Sequence, residues 1–393
     1  EISACLVGSE MCIRDRYKVS LSRQTYEEYF ARIKSGDPSK LVVIIDEAQF
    51  VAKRDTSFME AVAKLKKHKL YPGPVLIILA TSSTVWATQE ASEQFKGAEM
   101  KLESLNFLEV VRHFESLPVA EIVRIYGAIG GVPAYLDKWD AAKSFKENIC
   151  RLVLTPSGAL YGEADAVISS ELRELSAYST ILAAIARGEN KLNDIFHATG
   201  FSRAKISVYL KNLATFNIVE KVVSFETGGW ENAKKGVYQI KDTFVNFWFK
   251  FVYPNMSNLY LLSPEEFYDT YIEKELDAYL ERYFREVCTE YLLILNQMGQ
   301  LPFTIKRVGT WIGKTGRIDI VAQSEDRRSI IGFCNWDKPM MTMDMCENMA
   351  MAMDQARLTS DDYYLFSATD FEPALQSYVV RDPRFKLINM NEL

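Results

Sequence analysis

The chain has 393 residues, 48% of them hydrophobic and 25% charged, with 20 Tyr and 22 Phe, a globular composition long enough for two or three domains. Its 46 basic and 52 acidic side chains leave a net charge of -6, which excludes a generally basic nucleic-acid coat but not a local basic patch. No apolar run approaches the roughly eighteen residues of a membrane span.

The first sixteen residues, EISACLVGSEMCIRDR, fit no functional pattern. Charges at Glu10, Arg14, Asp15 and Arg16 interrupt any secretory signal, and Cys5 and Cys12 have no metal-ligand spacing. A single Gly without Lys is not a phosphate loop. The stretch CLVGSEMCIRDR resembles the translation of a transposase-type sequencing adapter. Residues 1–16 are therefore expected to be an artefact, with the fold beginning at Tyr17. The remaining cysteines, Cys150, Cys288, Cys334 and Cys346, lack C-x-x-C spacing and read as buried thiols of a reducing compartment, hence a cytoplasmic location.

The strongest signal is SKLVVIIDEAQFVAKRD. Five aliphatic residues, Leu41 to Ile45, predict a parallel strand buried on both faces, with Asp46 and Glu47 at its C-terminal end. Open α/β sheets hold ligands at that end. Aliphatics followed by Asp-Glu form the Walker B pattern, in which the Asp orients Mg²⁺ and the Glu polarises an attacking water. The alternative is a strand ending in a solvated acidic turn. A helix follows with apolar Phe58, Ala61, Val62 and Leu65, and a second strand from Val75 to Ala80 ends in Thr81, Ser82 and Ser83. Another strand is expected near Met100. Further on, Gly130-Gly131-Val132-Pro133 predicts a tight turn that opens a new helix.

LVVIIDEAQ, the strand ending in SS, and GGVPAYL together resemble the archaeal-type ATPase family, a branch of the AAA-related and STAND P-loop NTPases. Order and spacing agree over Ser39 to Leu172. The resemblance implies ATP and Mg²⁺ as ligands, with Asp46 on the metal, Glu47 as the catalytic carboxylate, Ser82 as the sensor, and Gly131 and Pro133 in a lid near the nucleotide. Two departures stand out. The stretch SEQFKGAEMKLESL after the sensor strand offers only Lys96 and Lys101 where the family usually has an Arg, so no arginine finger is assigned, and the P-loop is expected upstream of Tyr17. Residues 17–393 alone are expected to be poorly soluble and to bind no ATP.

From Leu172, three helical stretches and two strands, about Ile218 to Phe225 and Gly236 to Ile240, follow the order of a winged helix-turn-helix. Ser202 is placed to cap the third helix. Arg203 and Lys205 near its start, with Lys234 and Lys235 on the wing, are candidate phosphate contacts for double-stranded DNA. A protein-interaction or packing role competes with that reading, because Glu220, Glu226 and Glu231 dilute the positive field. The aromatic run Phe244 to Tyr253 reads as core and matches the junction that follows the winged helix in the resembled family.

In the last segment, GRIDIVAQSEDRRSIIGFCNWDKP predicts a hairpin with Asp319 on its first strand. That is the layout of PD-(D/E)XK restriction-type nucleases, but the Glu-x-Lys position reads Phe333-Cys334-Asn335, so metal-dependent cleavage is expected to be absent. Glu286 on the preceding helix is expected to lie near Asp319.

The expected architecture is α/β. Residues 1–16 are artefact, 17–106 an incomplete P-loop core, 107–170 a helical lid, 171–242 a winged helix and 243–393 a degenerate restriction-nuclease-like domain. The expected function is an ATP-dependent switch. The alternatives are a DNA-binding regulator and, less favoured, a metal-dependent nuclease. The oligomeric state is left open.

Overall fold

The computed structural model describes residues 25–32, 41–67, 73–83, 85–169, 172–225, 236–313 and 316–392. The chain is mixed α/β, with helices and several sheets, and divides into two compact units at Leu102/Glu103.

In the first unit, β1 (Leu41–Ile45) and β2 (Val75–Leu79) run parallel, with Leu41 opposite Val75 and Ile45 opposite Leu79. The connection carries helices Ala48–Ala52 and Thr56–Lys66. Asp55 caps the latter by accepting from the Ser57 N–H at 2.9 Å. Its Phe58, Ala61, Val62 and Leu65 are buried with Leu41, Val43 and Ile45 of β1.

The expectation that these strands are buried on both faces is not met. Val42 and Ile44 are 45% and 49% exposed, and Leu76 and Ile78 are 57% and 42% exposed. Among the described residues, helices cover only one face of the pair. Nor does a strand occur near Met100, where the backbone is irregular and Met100 and Leu102 are exposed. The described chain supplies no neighbouring strand there to satisfy a ladder.

In the second unit one apolar cluster runs from Phe107 to Met390 and joins the helices after Asn106, the middle helices, the aromatic run and one face of the last sheet. Helix Val119–Ile129 approaches helix Glu273–Gln297 closely at Gly127, whose carbonyl accepts from the Tyr279 hydroxyl at 3.0 Å. The turn at Gly130 (φ 70°) and Gly131 lies against another segment: the Leu105 N–H donates to the Gly131 carbonyl at 2.8 Å. A Cβ on Gly131 would stand 1.9 Å from the Leu105 carbonyl oxygen. Backbone cannot yield as a flexible side chain would, so Gly131→Ala is expected to cost about 3 kcal/mol. Chemical denaturation measures it.

Helices Leu175–Ala186, Leu192–Thr199 and Arg203–Thr215 precede an antiparallel pair, β3 (Val219–Val222) and β4 (Val237–Ile240). The Ser202 hydroxyl accepts from the Lys205 N–H at 3.2 Å, the expected cap. Asp242 caps the aromatic run, in which Phe244, Phe247, Trp248, Phe249 and Phe251 are all buried.

The C-terminal sheet has five strands: β5 (Arg307–Ile312), β6 (Arg317–Gln323), β7 (Ser329–Asn335), β9 (Asp362–Ser367) and β11 (Phe385–Asn389), in spatial order β11-β9-β7-β6-β5. Two short strands, β8 (Met340–Met341) and β10 (Asp370–Phe371), pair separately. Helix Glu273–Gln297 covers one face of the sheet and helix Met343–Ala356 the other. Between β5 and β6 the register slips: Gly309 faces Val321 and Trp311 faces Ile318, so Asp319 and Ile320 together stand opposite Thr310. Such a bulge re-aims a side chain that plain alternation would send elsewhere.

Candidate functional site

The first candidate lies at the C-terminal ends of β1 and β2. Asp46 is exposed, and its carboxylate accepts the Glu47 N–H at 3.0 Å. Glu47 adopts a left-handed conformation (φ 49°, ψ 40°), uncommon for a residue with a Cβ. The turn brings its carboxylate across to the neighbouring strand end, where the Ser82 hydroxyl donates to Glu47 Oε2 at 2.9 Å. Gln49, 2% exposed, braces the pair by donating through Nε2 to Ser82 Oγ at 3.0 Å and to the same Glu47 oxygen. The Gln49 Oε1 is buried without a partner. A carboxylate and a hydroxyl thus meet across adjacent strand ends, next in sequence to an exposed second carboxylate, residue types that can bind a cation or orient a water.

Gly131 and Pro133 belong to the second unit. Gly131 is buried against Leu105, and Pro133 opens a short helix, Pro133–Leu136. Tyr135 donates to Glu163 at 2.8 Å and its ring meets Phe244 at 5.6 Å, so the turn is locked to the unit's own core.

Arg203 is exposed but held: its Nη2 donates to Asn193 at 2.6 Å and its guanidinium lies 4.1 Å from the Phe196 ring centroid. Lys205 sits 4.3 Å from the Phe201 centroid. The solvent face of their helix carries Arg203, Ala204, Ser207, Val208 and Lys211. Lys234 and Lys235, expected on the wing, lie outside the described residues.

The third candidate is Asp319, 7% exposed. Its Oδ1 accepts from Arg285 Nε and Arg317 Nε, both at 3.0 Å, and its Oδ2 accepts the Cys334 N–H at 3.1 Å. Glu286, expected near Asp319, instead pairs with Arg282 at 2.8 Å. One residue along a helix turns a side chain by about 100°, so Arg285 faces the sheet and its neighbour does not. The signal for Arg285 was present: it shares a helix stripe with buried Cys288 and Leu292 at i+3 and i+7. Phe333 packs with the apolar cluster on the opposite face of the sheet. The Asn335 amide is spent on Ser367 Oγ at 3.0 Å and the Lys338 carbonyl at 3.2 Å. Cys334 shares Asp319's face, and its side chain meets the buried Cys288 thiol, which burial pushes well above the ordinary thiol range. Among the described residues no group of three His, Cys, Asp or Glu side chains could hold a metal ion.

Residues 248–351, from the aromatic run through β7 into the following helix, match the family DUF234, archaeal and bacterial proteins of unknown function. An uncharacterized protein of Methanocaldococcus jannaschii is 27% identical over 326 residues, covering 81% of this chain and 71% of that protein. A Vibrio cholerae protein of known crystal structure aligns with 93% of this chain and 92% of its own at 12% identity, with a TM-score of 0.23. Among the described residues no helix is long and apolar enough to cross a membrane.

Proposed function

We propose that the first unit is the Walker B half of a P-loop ATPase core and that the protein acts as an ATP-dependent switch on contacts made by its C-terminal part. The observation that supports this reading most is the Ser82 hydroxyl donating to Glu47 at 2.9 Å across two parallel strand ends. In this reading Glu47 polarises the attacking water, Ser82 fixes the Glu47 carboxylate, and Gln49 braces both. Exposed Asp46 would hold Mg²⁺, which when bound would supply positive charge to offset that developing on a phosphoryl group.

The reading requires a phosphate cradle, G-x-x-x-x-G-K-[ST], and it requires it upstream of Tyr17. Sequencing the gene upstream of that codon tests this: the motif is expected within about a hundred residues, and its absence removes the basis of the assignment.

A second reading, a DNA-binding regulator, draws support from the helix face of Arg203, Ala204, Ser207 and Lys211, where small side chains leave room for close approach to a groove. It predicts salt-dependent duplex binding that falls when Arg203 and Lys205 are changed to Ala and is indifferent to Glu47→Gln.

A further inference from the structure

The Asp319 centre holds more positive charge than its structural role needs. Arg285, with a side chain 14% exposed, already neutralises the buried carboxylate. Arg317 adds a second guanidinium on the same Oδ1 atom, and its side chain is 44% exposed. An exposed second partner contributes little to stability and sets two like charges side by side. Each arginine bonds Asp319 through Nε alone. Among the described residues the Nη groups of both have no protein acceptor. Two guanidiniums that share Asp319 Oδ1 carry one net positive charge between them, and their remaining N–H donors are of the kind that pairs with phosphate oxygens. The bulge at Asp319 aims the carboxylate that aligns them.

We infer that Arg285 and Arg317, oriented by Asp319, form a binding site for a phosphate oxyanion. The centre occupies the place where the sequence pattern suggests a divalent cation, and its charge is of the opposite sign. A metal site there needs at least two free carboxylates, whereas Asp319 is saturated by two guanidiniums and a backbone N–H. Cys334 and Phe333 offer no carboxylate, and Glu286 is turned away onto Arg282. The inference is independent of ATP binding by the first unit.

The test uses the full chain, wild type and Arg317→Gln, at constant ionic strength. Inorganic phosphate replacing chloride is expected to raise the Tm of the wild type, and the rise is expected to vanish in Arg317→Gln. A general salting effect would act equally on both proteins. Because Arg317 is partly exposed, the variant keeps the Arg285–Asp319 pair and the fold. Asp319→Asn, where it folds, is expected to tighten phosphate binding, the reverse of its effect on a metal site.

A fluorescein-labelled duplex distinguishes the source of the phosphate. If the ligand is a nucleic-acid backbone, the log-log salt slope of duplex binding falls by about 0.9 in Arg317→Gln. If it is a free phosphate or nucleotide, phosphate protects while duplex binding is the same in both proteins. Equal responses of wild type and Arg317→Gln to phosphate overturn the inference. So does stabilisation by Mg²⁺ alone that is lost in Asp319→Asn.

Discussion

Glu47→Gln is expected to lower the rate of ATP turnover by a factor on the order of 10²–10⁴, with ATP affinity changed no more than a few-fold. The geometry at the strand ends is kept in this variant. Glutamine is nearly isosteric with glutamate, so its side-chain oxygen still accepts from Ser82 and the left-handed turn at residue 47 is undisturbed. Under the proposed function, what disappears is the charge that would polarise water, which would matter in the transition state and not for binding the nucleotide. Single-turnover kinetics alongside equilibrium binding, on the product of the complete gene, separate the two effects. A variant turning over within twofold of wild type would remove Glu47 from the chemistry. Loss of binding together with turnover would assign the residue to positioning instead.

Asp319→Ala is expected to destabilise the second unit by about 3–5 kcal/mol, because it leaves the largely buried Arg285 guanidinium without its counter-ion. The Cys334 N–H loses its acceptor as well. Arg317→Ala, which removes the more exposed partner, is expected to cost less than about 1 kcal/mol. The contrast is the informative part. Urea denaturation followed by far-UV circular dichroism measures both. Equal small effects would show that Asp319 is held mainly by solvent and that Arg285 does not depend on it.

Local patterns in the sequence anticipated what local physics decides. The aliphatic runs at Leu41 and Val75 are strands, the spacing of Phe58, Ala61, Val62 and Leu65 is the buried stripe of a helix, and the aromatic run after Asp242 is core. Asp46, Glu47 and Ser82 stand at strand ends because those strands end where the aliphatics end.

Three features were not legible, each because it depends on how separate elements pack. An unbroken aliphatic run reads as buried on both sides, yet the exposure of Val42 and Ile44 depends on which layers are present to cover them. The choice of Arg285 over Glu286 turns on the phase of a 25-residue helix against a sheet, and a bulge in β6 shifts that phase again. The stacking of Arg203 on Phe196 needs two helices already packed. Simple alternation along β6 would not have foreseen that Asp319 and Ile320 both stand opposite Thr310.

Membership of the first unit in an ATP-binding core has a direct thermodynamic consequence, affinity for Mg²⁺-ATP. The most direct test is calorimetric titration of Mg²⁺-ATP into the gene product that includes the segment upstream of Tyr17, with residues 17–393 as the comparison. Binding in the micromolar range is expected for the longer protein, weakened by Asp46→Ala, and no measurable binding for residues 17–393. Absence of binding by the longer protein, or micromolar binding by residues 17–393 alone, would contradict it.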